Sequence, residues 1–295
     1  MIEETVFGRR AGWGLRFVLF LACGLLVFVV FSHYFPVFSG LADITGRIVV
    51  ALVFLTAAIL SCHSQRFQKY WRIWFAFFVA LVAISLDYYL GLSKWLLPAL
   101  RIGPETPAGW AIDKLESSAL SVLVVLLLTR ASGEDLASLY LRRGNLRLGL
   151  TVGLVAFVVM IASAIPVAEG FFNGKDLADA DIRSWGRMLS WTPWLLIFVL
   201  ANAFNEELLF RGLFCGRLQP FFGKFAVNLL MAIPFTLMHS GVGYTADILI
   251  FIGMLFPLSL AWGWVLQKTD SLWGSVLFHA AMDIPIILGL FSNLG

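Results

Sequence analysis

The chain has 295 residues, 60% of them hydrophobic and 13% charged, with a formal net charge of +3 and a mean hydropathy of +0.88. Soluble domains carry roughly a quarter charged residues, so this composition excludes an ordinary water-soluble fold and marks a membrane protein. The small positive surplus is spread along short loops, which argues against nucleic acid as a partner and for membrane topology and lipid-headgroup contact.

A membrane-crossing helix needs about 20 mostly apolar residues, and about nine segments approach that length: 15–33, 47–62, 73–91, 117–130, 148–168, 191–214, 225–239, 247–266 and 271–291. The first follows "MIEETVFGRRAGWG" and is too long for a signal-peptide core, so it is expected to be a retained span. Those starting at 47, 117 and 225 are short. Helices and closed barrels alone satisfy backbone polar groups in lipid, and these runs are too long for barrel strands. The expected fold is therefore all-α, a polytopic bundle of about 8–9 transmembrane helices. It divides into an N-terminal region, 1–190, of no assigned role and a segment, 191–291, that carries the chemistry described below, the two forming one integral bundle.

Lys and Arg concentrate on the cytoplasmic side of membrane proteins. Arg9, Arg10 and Arg16 place the amino terminus inside; alternation then puts Arg66, Lys69 and Arg72 inside, followed by Arg130, Arg142, Arg143 and Arg147, then Arg217 and Lys224, then Lys268. The loops assigned outside are a turn-rich "PETPAGWAIDKLE" and the acidic "EGFFNGKDLADADIRSW" with Glu169, Asp176, Asp179 and Asp181. The expected location is the cytoplasmic membrane of a prokaryote. Cys23, Cys62 and Cys215 lack metal-ligand spacing and read as small buried hydrophobes without a disulfide.

An ionisable side chain at the centre of a transmembrane helix costs about 2.5–3.5 kcal/mol on the insertion scale, so "NEELLFRG" demands a reason. Glu207 and Arg211 are four apart and face the same way on a helix, whereas Glu206 points about 100° away. One glutamate is paired and the other is left free. A free carboxylate in apolar surroundings is suited to taking and returning a proton. Two more apolar segments carry "PFTLMHS", with His239, and "LFHAAMD", with His279 and Asp283 four apart on one face. Side chains on three helices can meet in a bundle interior, and their natural chemistry is hydrolysis. A glutamate and a histidine hold and deprotonate water, while a second histidine, oriented by Asp283, donates to the developing oxyanion. Glu206, His239 and His279 could instead form a three-ligand site for a divalent metal such as zinc; the water mechanism needs no cofactor. A proton-coupled transporter and a catalytically silent scaffold or immunity-type partner are the competing readings.

The same residues resemble the CAAX-processing and bacteriocin-processing membrane endopeptidases, also called the CPBP or abortive-infection family. The resemblance lies in "EELLFR" against E-E-x-x-x-R, "FTLMH" against F-x-x-x-H, and "HAAMD" against H-x-x-x-[N/D], with "KTDSLWGSVLFH" similar to the lead-in of the last motif. It implies a hydrolase acting on a membrane-associated protein or peptide, with Glu206 and His239 activating water. Glu207 and Arg211 would support the site, and His279 with Asp283 would serve the oxyanion. Asp283 stands where Asn is commoner in the family; an ionised carboxylate cannot donate, so it must be protonated or orient His279. Ser259 and Asp270 stand where the family favours glycine.

Helical rise gives a check on depth: at about 1.5 Å per residue, Glu206 lies about 16 Å above Arg217 and His279 about 13 Å above Asp270, but His239 about 22 Å above Lys224. A bend at Pro234, or a helix start delayed by Pro220 and Gly223, is the expected remedy. Gly212 and Gly216 form one G-x-x-x-G, read as close packing beneath the acids in preference to dimerisation.

Overall fold

A computed structural model describes residues 13–31, 40–172, 184–242, 245, 247–292 and 294. Arg9, Arg10, Asp176, Asp179, Asp181 and the side chain of Arg16, all used above for topology, lie outside the described residues. Every regular element among those described is helical: α1 (Trp13–Val30), α2 (Gly40–His63), α3 (Trp71–Leu90), α4 (Ser93–Leu100), α5 (Pro107–Ala131), α6 (Leu146–Phe171), α7 (Trp185–Glu207), α8 (Cys215–Phe222), α9 (Lys224–Met238), α10 (Ile248–Thr269) and α11 (Leu272–Ser292).

Each of the nine apolar segments overlaps one of these helices, but fewer pass the test of length and hydropathy. Among the described residues, 6 helical stretches are long and apolar enough to cross a membrane: Gly40–His63, Gln68–Leu90, Leu146–Gly170, Gly186–Phe222, Ile248–Thr269 and Leu272–Ser292. The shortfall has particular causes. In α1 the apolar helix among residues with described side chains covers Phe17–Val30, α9 has 15 residues, and the first half of α5 carries Asp113, Lys114 and Glu116. That half corrects the sequence reading, which treated 104–116 as a turn-rich loop. Pro107 opens a helix there, because the Thr106 side chain accepts the Gly109 N–H at 3.0 Å and proline at the first helical position gives up no bond.

α11 lies in the interior: 67% of its apolar window is buried, against 17% for α2. Small residues make this position accessible. α6 runs along α11, and a Cβ on Gly149 would come within 3.1 Å of the Gly274 Cα, so the two backbones meet with no side chain between them. α7 packs on α5 and α11, and α10 packs on α9 and α11. Ser275, His279 and Asp283 recur every fourth residue along α11 and so share one stripe of it.

The α-helical ladder of α7 stops at Glu207 and continues as one π-type turn over Leu208–Gly212, after which α8 begins at Cys215. That turn interrupts a ruler of uniform rise from Arg217 up to Glu206, and Glu206 and His239 line one cavity despite the depth mismatch the ruler gave. α9 starts at Lys224 without delay and runs through Pro234. Gly212 and Gly216 do pack closely, but against backbone: a Cβ at Gly212 would lie 3.0 Å from the Leu139 carbonyl and one at Gly216 3.4 Å from that of Ser138. Their partner is the short 3₁₀ turn Leu136–Leu139. All three cysteines are free; Cys215 is buried, Cys23 half-buried and Cys62 exposed, so the expectation of burial fails for Cys62, which sits in the last turn of α2.

Candidate active site

The π-type turn carries Arg211 into the interior, where it and Glu207 are both fully buried. Arg211 Nη1 donates to Glu207 Oε1 at 2.8 Å, and Nη2 donates to the Ser259 hydroxyl at 2.6 Å and the Ser259 carbonyl at 3.1 Å. The guanidinium also lies 4.7 Å from the Phe235 ring centroid and 5.5 Å from that of Trp262, where ring quadrupoles favour a cation. The Glu207 carboxylate further accepts from the Ser275 hydroxyl and from His279 Nδ1 at 2.9 Å. Further hydrogen bonds offset the cost of burying a charge pair: three donors converge on this one carboxylate, while Arg211 Nε is left without a partner.

His279 is fixed by the same pair. A carboxylate can only accept, so Nδ1 carries the proton it shares with Glu207, and the ring stacks on Trp262 with centroids 3.8 Å apart and an interplanar angle of 10°. Nε2 then points the other way, 3.5 Å from Glu206 Oε2 and 3.6 Å from Asp283 Oδ1. Orientation of His279 thus comes from Glu207; Asp283 stands beside the opposite nitrogen and is itself held by Asn202 Nδ2 at 3.0 Å.

Beyond this sealed layer lies a cavity of about 330 Å³ lined by Glu206, His239, His279, Asp283, Asn202 and Lys114, among others. Glu206 Oε2 has no hydrogen-bond partner in the protein. His239 Nδ1 lies 2.8 Å from the Phe235 carbonyl, an acceptor only, so Nδ1 carries the proton and the neutral ring keeps its lone pair on Nε2. The cavity thus contains a carboxylate with one oxygen free of hydrogen bonds, though 3.5 Å from His279 Nε2, and a histidine whose acceptor nitrogen is not engaged by the backbone, which are the two groups needed to polarise a water.

Residues 188–285 match the family model described as type II CAAX prenyl endopeptidase, Rce1-like. That segment holds the whole constellation. It is the stretch on which the motif resemblance rests. No curated protein and no solved structure matches the chain. Together with the apolar helices, the Rce1-like match describes an integral, multi-pass membrane protein.

The departures from the Rce1-like pattern are accommodated locally. The Ser259 hydroxyl accepts from Arg211, and Asp270 ends α10 at φ 54°, a left-handed position that glycine would occupy without cost, while its carboxylate pairs with Arg142. Sequence reasoning missed Asn202, Ser275, Lys114 and Trp262. Asn202 and Ser275 had a signal, each lying one helical turn before a named residue, Glu206 and His279. Lys114 had none, since it reaches the cavity from α5. Glu206, His239 and His279 share the cavity but, among the described residues, no three His, Cys, Asp or Glu side chains are assembled as a metal-binding group. His279 is held through Nδ1 by Glu207 and His239 through Nδ1 by a carbonyl, which leaves Nε2 of each ring for the cavity, and no step is assigned to a metal below.

Proposed function

We propose that the chain is an intramembrane endopeptidase that hydrolyses a peptide bond in a membrane-associated protein or peptide, using water activated by Glu206 and His239 and no cofactor. The observation that carries this reading is the division of the two glutamates: Glu207 is closed off with Arg211, and Glu206 borders a cavity shared with His239, His279 and Asp283. Glu206 takes a proton from a water held against His239 Nε2, and the oxygen adds to the scissile carbonyl. His279, braced by Glu207 and Trp262, donates from Nε2 to the oxyanion as an imidazolium, with Asp283, itself held by Asn202, beside that nitrogen. The C–N bond then breaks as Glu206 returns its proton to the leaving amine.

On this reading residues 191–291 form the peptidase core, 1–190 complete the bundle around it, and the protein sits in a prokaryotic cytoplasmic membrane with its amino terminus inside and about eight or nine crossings. Support for the topology comes from Lys69, Arg72, Arg142 and Arg217, from three loops assigned to one side, which line one common cavity.

Reconstitution with membrane-anchored peptides tests the reading. Wild type is expected to cleave, with Glu206→Gln and His239→Ala each slowing cleavage by about 10²–10⁴-fold at unchanged thermal unfolding. Cleavage untouched by both substitutions would remove the site assignment, and no cleavage of any peptide would favour a silent scaffold or a transporter. Chelator is expected to leave the rate unchanged; loss restored by a divalent ion would overturn the metal-free mechanism.

A further inference from the structure

A second polar cavity, of about 570 Å³, opens at the end of the bundle where the α2–α3 and α5–α6 connections meet α8, and it is lined by Lys69, Arg72, Arg142 and Arg217 with Glu134 as the one acid. The geometry points to a binding site here for a phosphate group, either a phospholipid headgroup or a free phosphate. This inference does not depend on the peptidase reading.

Basic loops alone would follow from topology; the arrangement of Arg217 does not. Arg217 lies in the Gly186–Phe222 stretch with its side chain 3% exposed, yet it faces a polar cavity. Its Nη1 donates to the Leu213 carbonyl at 2.7 Å and its Nη2 to Glu134, while Nε is buried without a partner. Glu134 is shared: Arg72 Nε lies 2.8 Å from its other oxygen. One carboxylate thus answers two guanidiniums. Arg142 is turned to Asp270, and Lys69, which rests 5.0 Å from the Tyr70 ring, has no carboxylate partner among the described residues. The lining therefore retains a surplus of positive charge after every ion pair is counted. Gly216 lines the same cavity, and a Cβ there would come within 3.4 Å of both the Ser138 carbonyl and the Tyr140 ring, so glycine lets α8 bring Arg217 against the turn that carries Glu134 and Ser138. Guanidiniums with spare N–H donors and a neighbouring ammonium match the geometry and charge of a phosphate.

The full chain, purified in neutral detergent, is incubated with phosphatidylglycerol or phosphatidylcholine of identical acyl chains and read by native mass spectrometry; thermal unfolding with added inorganic phosphate runs in parallel. Phosphatidylglycerol is expected to be retained about tenfold or more over phosphatidylcholine, and Lys69→Ala to lower that preference about fivefold. Lys94→Ala, at the far end of α3, is expected to leave it unchanged. Stabilisation by phosphate alone identifies a soluble phosphate ligand, and lipid preference without it identifies a headgroup; either upholds the site. Equal retention of the two lipids with no response to phosphate, or equal losses from Lys69→Ala and Lys94→Ala, would overturn it. Lys69 is exposed, so its variant is expected to fold even where an Arg217 variant does not.

Discussion

Two buried carboxylate–guanidinium pairs, Glu207 with Arg211 and Glu134 with Arg217, use the same chemistry to different ends. The first is sealed: both side chains are 0% exposed and bond to Ser259, Ser275 and His279, with Arg211 Nε alone left without a partner. The second is buried at 6% and 3% but opens onto a cavity of about 570 Å³ and shares its carboxylate with Arg72, whose side chain is 61% exposed. Closure turns an ion pair into scaffolding, and of the two adjacent glutamates it leaves Glu206 to face the cavity, beside Asp283. Partial opening with a second guanidinium turns the other pair into a receptor with charge to spare.

The largest difference should appear when each pair is broken. Arg211→Met strands Glu207 at a fully buried position, and removing one partner of a buried pair costs about 3–5 kcal/mol. The check is unfolding in detergent for Arg211→Met and for Glu207→Gln/Arg211→Met. The double variant is expected to recover part of the loss, since it leaves no uncompensated charge. A single variant that unfolds like wild type would mean the pair is not sealed.

The sealed pair was legible in the sequence because its members are one helical turn apart, and helical geometry alone separates Glu206 from Arg211. The other pair was not, because Glu134 and Arg217 are 83 residues apart and meet only when α8 packs on the 3₁₀ turn. The apolar helices were legible from length and hydropathy. The start of α5 was hidden because Asp113, Lys114 and Glu116 mask a helix that its Thr106 and Pro107 announce. The π-type turn after Glu207 leaves no mark in residue type. His279 and Asp283 were correctly put on one face, but the residue that orients His279 could be found only from the packing of α11 on α7.

Glu134→Gln tests the open pair and should cost less, about 1–3 kcal/mol, because Arg217 can recruit solvent or an anion through the cavity. Added salt should narrow the gap between this variant and wild type, since exposed charges are screened. The Arg211→Met deficit should stay constant over the same range. Equal salt responses from the two variants would erase the distinction between a sealed and an open pair.

The finest test concerns Ser259, whose hydroxyl is one of the two acceptors that hold Arg211 Nη2. Ser259→Ala removes the 2.6 Å acceptor but leaves the Ser259 carbonyl at 3.1 Å, so Arg211 Nη2 retains a partner and the expected loss is about 1 kcal/mol. If the hydroxyl serves only Arg211, the loss should vanish in the Arg211→Met background, because the two residues form one network. Cleavage by Ser259→Ala should fall little, since Glu207 still receives Arg211, Ser275 and His279. A drop as deep as that of Glu206→Gln would instead mean that the exact seat of Arg211 is transmitted through Glu207 to His279, and that the supporting layer sets the chemistry as much as the residues facing the cavity.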